Sequence, residues 1–423
     1  MDTITTLGQR AKKAEVIMRS MSTEKKNSAL LAAADALLAH SEEIFAANAA
    51  DLENAVAAGM APGMQDRLRL TPERLDDIAE GMRQVADLPD PIGEVMDEWT
   101  LESGIGIKKV RVPMGVVGII YESRPNVTPD AFSLCFKSGN VSFLRGGSDC
   151  INSNIAMVNV MRGALEEAGI NPDVLILLED TSRETVKKMM KASAYIDVLI
   201  PRGGAGLIKS VVETSTIPVI ETGTGNCHIF VDESADIPMA LDIITNAKTQ
   251  RIGVCNAAES LMVHRKIADK FLPALAARLS SGDDADFYGG PAVELRGDED
   301  ACGIAPVMKR ASEEDWGTEY LDYILSVKIV DSVDEAIEHT NRYHTGHSDA
   351  IITSCEENSD RFLNEVDSAC VYSNVSTRFT DGFMFGFGAE IGISTQKLHA
   401  RGPMGLKELT SYKYQLRGNG QVR

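Results

Sequence analysis

The sequence lacks the features that mark membrane and secreted proteins. Its 423 residues contain no run near the ~18 consecutive apolar residues of a membrane span. The N-terminal stretch MDTITTLGQRAKKAEVIMRSM has no apolar core of signal-peptide length. The seven cysteines form no Cys-x-x-Cys pair and no zinc-ligand spacing, which is typical of reduced thiols. We therefore expect a soluble, cytoplasmic protein without a metal site.

Positive charge is also scarce. Lys and Arg number 42 against 62 Asp and Glu, so the formal net charge is −20. This acidic excess argues against nucleic acid or an anionic membrane as the main partner. It does not exclude a small anionic ligand, because a local cluster of cations and N–H groups can bind a phosphate inside an acidic protein. The apolar content of 44% is ordinary for a globular protein, and the length suggests two or three domains.

The patterns that are present predict an α/β fold. The first hundred residues show helical apolar spacing, and residues 99–113 alternate like two strands joined at Ser103–Gly104. Short apolar strands then alternate with helices, which is typical of a parallel sheet covered on both faces. One of the last of these predicted strands covers residues 217–222. A second α/β unit begins near Gln250. Such sheets bind ligands at the carboxyl ends of their strands.

The Gly-x-Gly-x-x-Gly fingerprint of dinucleotide-binding proteins is absent. Two other glycine-rich stretches, GGAG at 203–206 and GTGN at 223–226, lack its spacing, and each is equally consistent with a turn. The first follows a strand and opens a helix, so its free N–H groups could face a phosphate.

Cys255, in QRIGVCNAAE, has two interpretations. A cysteine is often a small buried residue. Here Gly253 and Asn256 are poor neighbours for a core strand, and the cysteine lies where one α/β unit gives way to the next. Clefts form at such junctions, so a nucleophile is the other interpretation. Cys227, which enters an apolar strand, favours the core.

Several polar residues have both a structural and a functional interpretation. Asn126 follows a strand and Pro125, so it is either a turn residue or a polar group presented at the sheet edge. Arg124 is the nearest candidate to hold an anionic substrate group. His344 and His347 have no third ligand at recognisable spacing, which favours a structural loop over a metal site.

Taken in order, eight stretches of the chain resemble the aldehyde dehydrogenase superfamily. They run from about residue 65 to about residue 410 and include VPMGVVGIIYESRPNVTPDAF, KSGNVSFLRGGSD, IPRGGAGLI, GTGNCHIFVD and QRIGVCNAAESLMVH. The resemblance is closest to the branch that reduces L-glutamate 5-phosphate to L-glutamate 5-semialdehyde, the second step of proline biosynthesis from glutamate. It implies an aldehyde-dehydrogenase-like fold with a Rossmann-like cofactor domain, an α/β catalytic domain and a small β oligomerisation arm.

The resemblance also implies domain limits and partners. Residues 1–98 and 114–249 are expected to bind NADP, residues 250–385 to carry the nucleophile, and residues 99–113 and 405–423 to form the arm of a homo-oligomer. An association with glutamate 5-kinase, which makes the labile acyl phosphate, stays open. Because the resemblance fills the chain, no room is left for a fused kinase domain.

The resemblance implies roles for individual residues. Cys255 is expected to be the nucleophile, with Asn126 and the Cys255 backbone N–H forming the oxyanion hole. The expected cofactor-binding residues are Lys137, Arg145, Ser148, Gly203, Gly204, Glu319 and Phe387. Members that bind NAD carry a glutamate where this chain has Ser148, and a neutral residue there tolerates a 2′-phosphate, so NADP(H) is favoured. Arg124 and Arg202 are candidates to hold the substrate phosphate, and the role of Glu221 stays open.

Two other functions are consistent with parts of the sequence. The first is a hydrolytic aldehyde dehydrogenase that uses NAD, against which Ser148 and the GTGNCH stretch both argue. The second is a binding or structural subunit with the same fold. The presence of Cys255, Asn126 and Glu319 together argues against that function.

Overall fold

The computed structural model describes residues 2–281 and 286–423, so residue 1 of the predicted first domain and residues 282–285 of the predicted catalytic domain lie outside the described residues. The chain divides into two compact units. The first comprises Met1–Thr222, Gly386–Gly392 and Met404–Arg423, and the second comprises Gly223–Phe385 and Ile393–Pro403.

Helices and strands alternate along most of the described chain. The helices are α1 Thr3–Met18, α2 Thr23–Ala39, α3 Ser41–Ala57, α4 Pro62–Leu68, α5 Pro72–Asp87, α6 Val127–Lys137, α7 Ile151–Glu167, α8 Arg183–Met189, α9 Ala205–Thr214, α10 Ile237–Thr249, α11 Arg265–Ser280, α12 Glu299–Ile304, α13 Val333–Tyr343 and α14 Glu356–Glu365. The strands are β1 Val95–Thr100, β2 Gly106–Pro113, β3 Val116–Tyr121, β4 Val141–Arg145, β5 Leu175–Leu177, β6 Val198–Arg202, β7 Cys227–Val231, β8 Ala258–His264, β9 Glu294–Gly297, β10 Lys309–Arg310, β11 Ile324–Val330, β12 Ser348–Ile352, β13 Cys370–Ser373, β14 Ile393–Ser394, β15 Gly402–Pro403 and β16 Thr410–Arg417.

The first unit contains a four-stranded parallel sheet in the order β5-β4-β3-β6. Its central strand β3 is buried along its whole length, and helices α1, α6, α7 and α9 contact the strands of the sheet. Two helices begin with polar caps, because Thr71 and Ser182 each accept a hydrogen bond from a backbone N–H of the first turn. The predicted parallel sheet with helical cover is confirmed.

The predicted arm strands form a separate sheet in the first unit. Strands β1, β2 and β16 are antiparallel in the order β1-β2-β16. The hairpin turns at Gly104, whose φ of +82° favours glycine, and whose N–H donates to the Leu101 carbonyl at 2.8 Å. All of β1 and most of β16 are exposed.

The second unit contains a seven-stranded parallel sheet in the order β10-β9-β11-β8-β7-β12-β13. Successive side chains of a strand point to opposite faces, so continuously apolar strands fill two cores. Ile229 and Val231 belong to the cluster that includes α10 and α11 residues, whereas Phe230 between them belongs to the cluster with α13 and α14 residues.

Two sequence-based boundaries differ from the structure. Residues 217–222 were expected to form a strand, but they contain only isolated bridge residues, Val219, which pairs with Leu199, and Thr222. Pro218 has no N–H to donate, and the chain leaves the unit at Thr222. The domain boundary also lies at residues 222/223 rather than 249/250, because β7 pairs with β8 and β12 of the second unit.

Among the described residues, no helix is long and apolar enough to cross a membrane.

Candidate active site

Cys255 lies in a turn of the second unit, between the end of α10 and the start of β8. It is half-buried, unlike Cys135, Cys150, Cys227 and Cys370, which are buried. The turn and Gly225 both precede strands, so Cys255 stands at the amino ends of β8 and β7. This differs from the carboxyl-end position that the sequence-based rule for parallel sheets predicts.

Gly225 fits the Cys255 backbone closely. A Cβ atom built on Gly225 would lie 1.4 Å from the Cys255 carbonyl oxygen, a separation that excludes any side chain. The Gly225 N–H donates to Glu319 Oε1 at 2.7 Å. The second unit therefore brings two of the predicted site residues, Cys255 and Glu319, to either side of one glycine.

The residue after Cys255 is held by several hydrogen bonds. The Asn256 side-chain amide donates to the carbonyl of Thr380 at 2.9 Å and to that of Arg378 at 3.3 Å. The Thr377 hydroxyl donates to the Asn256 carbonyl at 2.7 Å. These bonds fix the direction in which the backbone leaves Cys255 and enters β8.

Lys248 and Glu259 form a fully buried ion pair at the two ends of the same loop. Lys248 Nζ lies 2.5 Å from Glu259 Oε2, and both side chains are 0% exposed. Glu259 Oε1 accepts a bond from the Leu321 N–H at 3.2 Å, close in sequence to Glu319. Burial raises the pKa of Glu259 and lowers that of Lys248. Sequence reasoning missed this pair, although a glutamate inside the apolar strand AESLMVH was a usable signal.

Cys227 lies beneath the loop. Its thiol donates to the Cys255 carbonyl at 3.2 Å, and burial raises its pKa well above the usual range. The expected core role of Cys227 agrees with this position. The second unit also orders the predicted histidine loop, in which His344 Nδ1 lies 2.8 Å from Asp349 Oδ2 and His347 Nδ1 lies 2.7 Å from Ser348 Oγ. In the described residues, no group of three His, Cys, Asp or Glu is placed to hold a metal ion.

In the first unit, Asn126 precedes the first turn of α6 and is exposed. Its amide donates to Asp130 Oδ2 at 3.1 Å. Burial raises the pKa of Asp130 to about 6, against the opposing hydrogen bond from Asn126 and the charge of Arg202. Asn126, Asp130 and Arg202 are therefore neighbours, and Asp130 is a residue that sequence reasoning missed. Arg124 is exposed on the turn that precedes Asn126.

Arg202 ends β6 and depends on a glycine for its position. A Cβ atom on Gly392, whose φ is +152°, would lie 2.5 Å from Arg202 Nη1. The nearby Gly203 and Gly204 are exposed, as a ligand-binding turn requires. However, the Gly204 N–H already donates to Glu122 Oε2 at 3.1 Å. A carboxylate of the protein thus occupies the place where the sequence predicts a phosphate.

Three of the predicted cofactor-binding residues, Lys137, Arg145 and Ser148, separate into two groups. Arg145 ends β4, and the exposed Ser148 follows it, so these two lie together at the carboxyl edge of the sheet. Arg145 Nη2 donates to the Thr181 carbonyl at 2.7 Å, whereas its Nε is buried without a hydrogen-bond partner in the described structure. Lys137 does not join them. It is 0% exposed and donates to Asn27 Oδ1 at 2.5 Å and to the Ala86 carbonyl at 2.6 Å.

Phe387 is exposed and stands between Gly386 and Gly388, both of which have positive φ. A Cβ atom on Gly388 would lie 2.5 Å from Leu88 Cδ2, so the loop approaches that side chain closely. Glu221, half-buried, lies next to the end of the first unit's main segment.

Comparison with known proteins gives consistent matches over the whole chain. The profile described as "Aldehyde dehydrogenase family" matches residues 2–295 and 288–414. A protein of Lachnospira eligens named "Gamma-glutamyl phosphate reductase" is 57% identical over 423 residues, 100% of both chains. A protein of Enterococcus faecalis with the same name is 56% identical and covers 99% of this chain and 98% of its own.

Solved structures match as well. A crystal structure named "Gamma-glutamyl phosphate reductase" from Thermotoga maritima has a TM-score of 0.95 and 48% identity, with 100% of both chains covered. A propionaldehyde dehydrogenase from Rhodopseudomonas palustris has a TM-score of 0.70 at 15% identity and covers 98% of this chain and 97% of its own, a likeness of fold alone.

Proposed function

The chain belongs to the aldehyde dehydrogenase family, and from that premise we propose that it reduces L-glutamate 5-phosphate to L-glutamate 5-semialdehyde and releases phosphate. This reaction is the second step of proline biosynthesis from glutamate. The observation that carries the proposal is the Cys255 turn, in a chain similar along its full length to proteins named for this reaction. There the backbone of the half-buried Cys255 packs against Gly225, whose N–H donates to Glu319.

Cys255 supplies the nucleophile. Its thiolate attacks the acyl carbon, the acyl–oxygen bond breaks, and phosphate leaves with the electron pair, which gives a thioester. Reduction of the thioester carbon and collapse of the thiohemiacetal release the semialdehyde and the free cysteine. Water must stay away from the thioester, since hydrolysis would give glutamate instead.

Two further groups act on the substrate in this proposal. As the family resemblance implies, the Asn126 amide and the Cys255 N–H hold the oxyanion, and losing one such donor typically costs about 10²–10³ in kcat. Arg124 and Arg202 hold the substrate phosphate, a role supported by their charge. Replacement of either arginine is expected to raise KM for the acyl phosphate, and an unchanged KM would remove that residue from the site.

The cofactor proposed is NADP(H), which supplies the hydride when bound. The first unit fits such a group at Arg145, whose buried Nε has no hydrogen-bond partner in the described structure, and at Ser148, which adds no negative charge. Glu319 is proposed to hold the nicotinamide ribose, and Phe387 to line the cofactor site. Gly203 and Gly204 contribute only if Glu122 releases the Gly204 N–H. We assign Lys137 a structural role, because its ammonium is buried among α2 and α5 groups.

The three-stranded sheet is proposed as the arm of a homo-oligomer. A sheet edge and its exposed apolar side chains are natural partners for another copy, and the exposed residues here are Val95, Met96, Trp99, Leu101, Tyr412, Tyr414 and Leu416. The change Tyr414→Glu, which puts a charge on this surface, is expected to lower the mass measured by light scattering. An unchanged mass would contradict the arm. Association with glutamate 5-kinase stays a prediction, as does a cytoplasmic location, where the seven cysteines would stay reduced.

The test of the reaction uses its reverse direction. Glutamate 5-semialdehyde and NADP are followed at 340 nm, with and without phosphate, for the wild type and Cys255→Ala. NADPH formation that requires phosphate and is lost in the variant is the expected result. Turnover without phosphate would instead identify a hydrolytic dehydrogenase and make Glu221 the next residue to replace.

A further inference from the structure

Arg378 grips the Cys255 loop at two points. It lies in a short 3-10 helix, Thr377–Phe379. Its Nε donates to Gln250 Oε1 at 3.0 Å, and its Nη1 donates to Asn256 Oδ1. Its own carbonyl accepts the Asn256 amide at 3.3 Å. One guanidinium therefore joins the residue that follows Cys255 to one that lies before it in the same loop.

The guanidinium is also a partly buried cation next to the Cys255 turn, since it binds the side chain of Asn256. Burial and the charge of Arg251 lower the pKa of Arg378, whereas the charges of Cys255, Asp381 and Cys227 raise it. Arginine keeps its proton in proteins, so the partly buried Arg378 guanidinium stays positively charged. A cation removed from water is stabilised by a negative charge close to it. Asp381 Oδ1 is already engaged by the N–H groups of Phe383 and Met384, at 2.9 and 3.2 Å.

The turn that carries Cys255 is not the start of a helix. Thiolates are often stabilised at the N-terminus of a helix. Cys255 instead lies six residues beyond the last residue of α10 and three before the first residue of β8. Glu319, linked through Gly225, adds a carboxylate on the other side. A thiolate at Cys255 is therefore favoured by cations close to the turn, of which Arg251 lies in the loop itself and Arg378 outside it.

We propose that Arg378 is a positioning residue that holds the Cys255 loop and stabilises the Cys255 thiolate as its counter-charge. The proposal deepens the proposed function, since it rests on Cys255 being the nucleophile. Arg251, which neighbours Arg378, is a second cation of the same environment.

The experiment measures thiol ionisation directly and needs no turnover. The full-length protein is treated with iodoacetamide across a range of pH, and alkylation of the Cys255 peptide is followed by mass spectrometry, which separates it from the six other cysteines. The wild-type midpoint is expected below about 8.5, the value of an ordinary thiol. In Arg378→Gln the midpoint is expected to rise by about one to three pH units, as for the loss of an opposite charge a few ångströms away.

Two further variants separate charge from structure. Arg378→Lys keeps the cation and is expected to retain part of the lowered midpoint, although it loses the bidentate grip. Arg361→Gln removes an exposed arginine that pairs with Asp334 and Glu365, and its midpoint should equal that of the wild type.

Three outcomes would overturn the proposal. They are a wild-type midpoint at or above about 8.5, an unchanged midpoint in Arg378→Gln with a native circular dichroism spectrum, and equal midpoints in the Lys and Gln variants. If Arg378→Gln does not fold, the alkylation midpoints of the wild type and of Arg378→Lys still test the proposal. If the wild type shows a lowered alkylation midpoint but no reductase activity, the proposed function is rejected and the role of Arg378 is retained.

Discussion

The two units position their functional groups in opposite ways. In the first unit, candidate groups follow the carboxyl ends of β3, β4 and β6, and Asn126, Ser148 and Gly203 are exposed. In the second unit, Cys255 precedes the amino end of β8. Buried polar groups hold the Cys255 loop through hydrogen bonds and an ion pair. Groups that bind a ligand can stay open to solvent, whereas a nucleophile needs a backbone with one geometry.

The buried pair behind the loop gives the largest expected effect. Lys248→Met leaves Glu259 as an unpaired buried charge and is expected to lower the free energy of unfolding by about 3–5 kcal/mol. Urea denaturation measures this loss. The double variant Lys248→Met/Glu259→Gln should be less destabilised than Lys248→Met alone. The exposed Lys266, paired with Glu233, is the matched control, and Lys266→Met should cost less than about 1 kcal/mol. Equal losses at the two lysines would contradict the role given to the pair.

The close approach of Gly225 tests whether the loop has one working geometry. Gly225→Ala must displace the Cys255 carbonyl, and a shift of about 1 Å at a reacting group costs about 10²-fold in kcat/KM. The reverse reaction measures that loss. In the same unit, a Cβ on Gly303 would meet nothing within 4 Å, so Gly303→Ala serves as the control. Similar activity in the two variants would show that the loop tolerates movement.

A change at the exposed Ser148 of the first unit is expected to alter cofactor binding without altering stability. Ser148→Glu brings a carboxylate towards the 2′-phosphate and is expected to raise KM for NADP about tenfold, with little change for NAD. Ser148→Ala keeps the position neutral and should resemble the wild type. Stability should be unaffected in both variants, because the residue is exposed. An unchanged preference for NADP would place the 2′-phosphate elsewhere.

The smallest effect is expected for Asp130, a half-buried residue of the first unit. Its folded pKa of about 6 exceeds the usual 3.8, so the folded protein holds this proton more tightly than the unfolded chain. Its contribution therefore makes stability fall as the pH rises from about 4 to about 6. Asp130→Asn has no such proton, so its stability relative to the wild type should increase between these pH values in urea titrations. Asp77→Asn, an exposed control on α5, should show no such trend. A pH-independent difference for Asp130→Asn would contradict the assignment.

Much of the fold could be predicted from the sequence because its patterns are local. The hairpin turn expected at Ser103–Gly104 is present, with Gly104 at the positive φ that favours glycine. The strand expected at 217–222 is not formed. A strand forms only when it pairs with a neighbouring strand, and the local sequence pattern does not identify that neighbour. The structure brings Cys255 and Glu319 to one glycine, Gly225, whereas Lys137 is a buried link between helices. The roles expected of these residues stay predictions.

The sequence by itself determined the α/β class, the family, and the residue types that carry the chemistry, because periodicity and short motifs are properties of neighbouring residues. Only the tertiary structure decided which groups surround the thiol. Arg378, Lys248 and Glu259 hold the Cys255 loop, and Arg378 lies more than a hundred residues from it in sequence. Their roles depend on burial and on contacts between distant segments, and charged side chains acquire such roles only when the fold removes them from water.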